Sequence, residues 1–185
     1  MPTPQISRAA RARIRQRLAN VTTGFNPYLV AALADAGITA PAGWKLPIDF
    51  SSSPSLNFFE ADLTADELDE TSPITYPCMT LFALGATEGN LEKYKMFSGV
   101  VTFGLNIFCS WVSSRALPDF ETVTDCVEEA LYQTFNGSAN PAWATDSVLV
   151  FNGELSCQRS GLSKNAENWF QTLACKLTCE VHANG

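Results

Sequence analysis

The stretch FSGVVTFGLNIFCSWVSS, Phe97 to Ser114, constrains the fold more than any other part of this chain. Phe97, Val101, Phe103, Leu105, Ile107, Cys109 and Trp111 recur at every second position, as a strand with one buried face requires. Ser98, Thr102, Asn106 and Ser110 suit a wet opposite face. Val100, Phe108 and Val112 do not, because they add large apolar groups on that second side. The strand therefore belongs to a sheet whose second face is itself covered somewhere, by another part of the chain or by another copy.

The C-terminal half supplies the rest of that sheet. YPCMTLFALG, from Tyr76, reads as a strand that leads through the loop at 86–96 into the long one. SVLVFNGELSCQRS puts Leu149, Phe151, Leu155 and Cys157 on one side, with Gly153 as a bulge. NWFQTLACKLTCEVH does the same with Trp169, Leu173, Cys175, Leu177, Cys179 and Val181, and the two form a hairpin around 160–168. Between the hairpins, LPDFETVTDCVEEALYQTFNG is a helix with Asp119 as its N-cap. Its apolar face is Phe120, Val123, Val127, Ala130, Leu131 and Phe135, and Asn136-Gly137 ends it.

Upstream, Ile6, Ala10, Ile14 and Leu18 stand four apart among arginines, a helix with a narrow apolar stripe. FNPYLVAALADAGI is a second helix, with Asn26 as N-cap, Pro27 at the first helical position and Gly37 as the stop. Pro41, Pro47, Pro54, Pro73 and Pro77 then prevent one regular element from forming over 38–75, apart from a helical turn at Thr64–Asp69. Trp44, Phe50, Phe58 and Phe59 give this segment apolar anchors for docking. The expected architecture is α+β: an antiparallel four-stranded sheet in β-β-α-β-β order with a covering helix, preceded by two N-terminal helices and an extended arm. The boundaries are 1–37 for the helices, 38–75 for the Pro-rich acidic arm and 76–185 for the sheet domain, one domain with an arm.

Charge is distributed unevenly around a net −7 over 185 residues. Arg8, Arg11, Arg13, Arg15 and Arg17 fall in the first twenty residues with no acid among them. From Leu46 to Glu92 there are nine acids and no Lys or Arg. An acidic body is a poor general nucleic-acid binder, whereas an Arg helix suits docking onto an acidic surface, in the same chain or a neighbour, with DNA contact as an incidental alternative. No apolar run reaches the roughly 18 residues of a membrane span, so no membrane partner is expected. The cysteines Cys109, Cys157, Cys175 and Cys179 lie on apolar strand faces without ligand spacing, which points to reduced thiols in a cytosol.

Residues for catalysis are lacking. His182 is the single histidine and sits near the chain end, where a nucleophile–base arrangement would be poorly held. Asp66, Glu67, Asp69 and Glu70 lack the order of a calcium loop. Glu128 and Glu129 are adjacent on a helix and point apart. GATEGN at 85–90 lacks the Lys-Ser/Thr of a phosphate loop. The expectation is no enzyme, no metal and no cofactor.

Two helices, a Pro-rich arm and then YPCMTLF, VVTFGLNIFCSW, DFETVTDCVEEALYQTF and FQTLACKLTCEV resemble the tail-terminator, or tail-completion, proteins of long-tailed bacteriophages over roughly residues 76–183. The Val127–Leu131 segment matches the helix that lies between strand pairs in that family. The arm at 38–75 and the Arg-rich start have no counterpart in the resemblance. What the resemblance implies is a virion protein, assembled in the host cytoplasm into a closed ring of six copies. Such a ring ends the polymerising tail tube and offers its other side to a head-side connector protein. On that reading Val100, Phe108, Val112, Trp44, Phe58 and Phe59 lie at the subunit interface. Glu88, Glu92, Lys93, Tyr94 and Lys95 on one hairpin tip, and Arg159, Lys164 and Glu167 on the other, make axial contacts with the tube and connector. Competing classes are another head-completion or connector protein, and a DNA-binding packaging accessory protein driven by the Arg helix.

Overall fold

The computed structural model describes residues 6–41, 43–70, 74–88, 97–112, 118–136, 149–165 and 168–183. In chain order the elements are helices α1 (Ile6–Leu18) and α2 (Phe25–Asp35), strand β1 (Phe58–Phe59), helix α3 (Ala65–Glu70), strands β2 (Cys78–Glu88) and β3 (Phe97–Val112), helix α4 (Pro118–Asn136), and strands β4 (Leu149–Arg159), β5 (Ser163–Asn165) and β6 (Asn168–Ala183). This is a mixed α+β fold.

Among the described residues the sheet has six strands rather than four. Its order is β1-β2-β3-β6-β4, with β5 also on β6. All pairings are antiparallel except β1 on β2, which is parallel and spans only Phe58↔Met79 and Phe59↔Thr80. β3 and β6 run side by side for their whole length, from Phe97↔Ala183 to Val112↔Asn168. Bulges interrupt β2 between Ala83 and Gly85, and β4 between Phe151 and Glu154, the latter at Gly153 as its position in the strand pattern predicts.

The alternation in β3 does what period two requires. Val101, Phe103, Leu105, Ile107, Cys109 and Trp111 are all buried on one face, together with Met79 and Leu81 of β2 and Leu173, Cys175, Leu177, Cys179 and Val181 of β6. Three helices close that face. From α4 come Phe120, Val123, Val127, Ala130, Leu131 and Phe135; from α1, Ala10, Ile14 and Leu18; from α2, Phe25, Leu29 and Leu33. The stripe expected on α4 is thus the buried one, as is that on α1 from Ala10 to Leu18, the Ile6 side chain lying outside the described part.

Two expected caps differ. α2 begins at Phe25 with Gly24 as its N-cap, so Pro27 falls at the third helical position. The Asn26 amide is used elsewhere: its Nδ2 donates to the Ile48 carbonyl (2.9 Å) and its Oδ1 accepts the Ile48 N–H (2.8 Å). α4 begins at Pro118, which puts Asp119 inside the first turn rather than at the cap. The stop of α2 is as expected. Gly37 has φ 68°, its N–H donates to Ala34 O, and the Ile38 N–H reaches back to Leu33 O, both needed to close the helix end.

The arm folds back on its own sheet. Trp44, Ile48, Phe50 and Phe58 are buried in the same core as the helices, and the Trp44 indole N–H donates to Ser110 O at 2.8 Å. Asn57 organises the turn: it is buried, its Oδ1 accepts the Asp49 N–H, its Nδ2 donates to Lys45 O, and its carbonyl accepts the Met79 N–H. Such bonds satisfy an irregular backbone that has no ladder of its own.

Candidate interaction surfaces

The second face of the sheet is covered at one end. Phe108, 6% exposed, lies with Cys78 beneath Phe59 and Leu68, and Leu63, Ile74 and Tyr76 close the rim. Leu68 is carried there by α3, one and a half turns held by a capping box. The Glu67 carboxylate accepts the Thr64 N–H at 2.8 Å, and the Glu67 N–H donates to Thr64 Oγ1 at 3.3 Å. The Thr64 N–H and then its hydroxyl, both donating to the carboxylate, hold the Glu67 carboxyl below its ordinary value. Tyr76 meets Phe170 edge-on with centroids 5.9 Å apart. The arm therefore covers Phe108 from within the chain.

The other end is open. Val100 is 38% exposed and Leu84, the unpaired residue of the β2 bulge, 49%. Beside Leu84 lies a shallow cleft of about 480 Å³ whose lining includes Phe82, Leu84, Gly104, Asn106, Ala174 and Lys176. β1 reaches only Met79 and Thr80, so from Leu81 onward the outer edge of β2 has no strand partner among the described residues. That edge carries no charge from Leu81 to Thr87. Uncharged, uncovered edges are templates for further pairing. A second exposed apolar cleft, about 550 Å³, lies on the outer side of α2 between Val21, Pro27, Val30, Leu46 and Pro47.

The arginines divide. Arg15 Nη1 donates to Glu60 Oε1 at 3.0 Å and Arg11 Nε lies 3.4 Å from Glu60 Oε2, so α1 is clamped to the acidic arm of its own chain. Arg17 is buried; its Nε donates to the Thr134 carbonyl in the last turn of α4 (3.0 Å) and its Nη1 to Thr23 Oγ1 (2.9 Å). A cation at that helix end is favoured by the carbonyls of the last turn, although burial pulls the guanidinium pKa below its ordinary value. Arg13 bonds Gln16 one turn on, and Arg8 is exposed.

Of the remaining expected site residues, Trp44, Phe58 and Phe59 are corrected: they are spent inside their own chain, because the arm that carries them packs on its own core. Arg159 is exposed but is paired within its own chain. Its Nε donates to Glu128 Oε2 at 3.0 Å and its Nη2 to both Glu128 and Asp125 at 2.6 Å, tying β4 to α4. Lys164 is exposed, its Nζ 5.5 Å from the Trp169 ring centroid. Glu88, Val112 and His182 are fixed by strand register alone, opposite Gly99, Asn168 and Ser98, and their side chains lie outside the described part. Glu92, Lys93, Tyr94, Lys95 and Glu167 lie outside the described residues.

The cleft at Phe82 and Gly104 was missed by sequence reasoning. A glycine in mid-strand was the available signal, since it marks a close approach. Among the described residues no three His, Cys, Asp or Glu side chains converge as a metal site would need, and no helix is long and apolar enough to cross a membrane. Neither a protein-family model nor a curated protein matches this chain.

Proposed function

We propose that this chain is a structural subunit of a closed ring that ends the tail tube of a long-tailed phage and joins it to the head-side neck. The observation that carries the reading is the half-covered second face of the sheet, apolar at Leu84 and Val100 and bordered by an uncharged strand edge. A self-sufficient monomer gains nothing from leaving such an edge unprotected. We read β2–β3 and β4–β6 as two hairpins on either side of α4, which would match the β-β-α-β-β plan of the tail-terminator family the sequence resembles. β1 and β5 are then additions to that plan.

In this account the β2 edge beyond Thr80 and the β4 edge are two unlike outer edges of one sheet. Contact between unlike surfaces of successive copies is heterologous, and it closes into a ring when the rotation per subunit divides a full turn. The ring ends growth by geometry: one side is complementary to the last tube layer, and the other does not reproduce the tube subunit's surface. The connection between β2 and β3 supplies axial contacts with tube and connector. A DNA-binding role is less well supported, because Arg11, Arg15 and Arg17 have partners within the chain.

The test is addition of the purified chain to polymerising tail-tube subunits. Tubes should stop lengthening and carry the chain at one end only. Tubes of unaltered length, with no bound chain after sedimentation, contradict the proposal.

A further inference from the structure

Cys157 of β4 and Cys175 of β6 stand directly opposite each other in the ladder. The phase of the hydrogen bonding defines what kind of pair they are. The Ser160 N–H donates to Thr172 O at 2.8 Å, which makes 160/172 a hydrogen-bonded pair. Stepping back through Arg159↔Leu173 and Gln158↔Ala174, the pairs alternate, and Cys157↔Cys175 is a non-hydrogen-bonded one. In such pairs the Cα atoms approach to about 4.5 Å and the side chains are at their closest. A disulfide spans Cα separations of about 4.4–6.8 Å, so the backbone need not move for one to form here.

Both side chains turn toward α4. Cys175 is buried in the main core and Cys157 is half-buried against it. The Cys175 thiol is held well above its ordinary pKa, first by a hydrogen bond with Cys157 and then by burial. The other cysteines have no thiol opposite them. Cys78 faces Phe108, Cys109 faces Gln171, Cys179 lies between Val101 and Phe151, and Cys126 is on α4. Burial pushes the thiols of Cys78, Cys109 and Cys179 up to about 12, and what sets Cys175 apart from these equally shielded thiols is the second thiol directly across the ladder from it.

We propose that Cys157 and Cys175 form a redox-modification site that closes to a cross-strand disulfide when the chain meets a small-molecule disulfide as oxidant. Cys157, the more exposed, attacks first as thiolate on one sulfur of the oxidant. The oxidant's S–S bond breaks, a mixed disulfide forms on Cys157, and the first small thiolate leaves and takes up a proton. Cys175 then loses its proton and attacks the Cys157 sulfur, and the second small thiolate leaves. Two protein thiols are oxidised by two electrons in total, and one small disulfide is reduced to two thiols. Closure ties the outer strand β4 to β6 beside α4. The second step is the slow one and accelerates with rising pH, because it needs the Cys175 thiolate.

The experiment incubates the folded full chain with oxidised glutathione at about pH 8.5, quenches with N-ethylmaleimide and maps the peptides by mass spectrometry. Free thiols should fall from the six in the sequence to four, with Cys157 and Cys175 in one linked pair. Thermal unfolding should shift upward by about 5–10 °C and return on reduction. Cys175→Ser should stop at glutathione bound to Cys157, and Cys157→Ser should form no bridge. Six retained thiols, a bridge between other cysteines, or wild-type chain stalled at the mixed disulfide each overturn the proposal. The wild-type map decides the matter even if a variant fails to fold, and it is independent of whether the chain forms a ring.

Discussion

The Phe82 ring lies across Gly104, its direct cross-strand partner, so closely that a Cβ on Gly104 would overlap the ring atoms. The pair forms part of the floor of the open cleft, where an aromatic side chain replaces the packing that a strand glycine cannot supply. Gly24, between α1 and α2, is confined differently: a Cβ there would meet the backbone of Leu18 and Asn20.

These two glycines should respond unequally to alanine. At Gly104 the obstacle is the far end of a side chain that can swing away, so Gly104→Ala should cost about 1 kcal/mol. At Gly24 the obstacle is main chain, and Gly24→Ala should cost about 3 kcal/mol or more. Urea midpoints of both variants check the order. Equal losses would mean that the α1–α2 junction can move apart freely.

The arm should behave as a latch on the second face. Asn57→Ala removes the partners of the Asp49 N–H and the Lys45 carbonyl and leaves them unsatisfied, a loss of about 2–4 kcal/mol. Leu68→Ala opens the cover over Phe108 and should cost a comparable amount, about 2–4 kcal/mol. Hydrogen exchange across Cys78–Thr80 should accelerate in both variants before the rest of β2 is affected. Uniform acceleration over the whole sheet would show that the arm and sheet unfold as one.

Alkaline pH should weaken the fold through its buried thiols. Cys78, Cys109 and Cys179 have folded pKa values pushed up to about 12 from an ordinary 9.0. Their contribution is fully present below pH 9.0. Above it the unfolded chain releases these protons and the folded chain keeps them, so stability falls as pH rises toward 12. The slope is about 1.4 kcal/mol per pH unit for each thiol. Urea unfolding at about pH 8 and about pH 10.5 measures it. Cys109→Ala should remove its share of the decline; an unchanged slope would mean that this thiol ionises as freely folded as unfolded.

What was legible in the sequence was whatever a local period encodes. The alternation along 97–112 and the stripe from Phe120 to Phe135 identify their elements and buried faces, because those faces follow from backbone geometry alone. The arm has no period, and its path rests on two amides, Asn26 and Asn57, that bond backbone far along the chain. Asn26-Pro27 has the local chemistry of a cap, yet the same amide serves Ile48 better, and nothing nearby in sequence records that choice. Trp44, Phe58 and Phe59 were readable as docking anchors, but an apolar side chain is equally at home in its own core or a neighbour's. The pairing of Cys157 with Cys175 depends on register, which the spacing of residues within a strand does not reveal.

The most direct test of ring formation is the mass of the purified full chain, by sedimentation velocity with negative-stain images of the same sample. The account predicts a closed ring of six times the 20.1 kDa chain mass, returned to single chains by Leu84→Asp without loss of fold. A folded species of one chain mass at every concentration, with Leu84→Asp indistinguishable from it, would contradict the account.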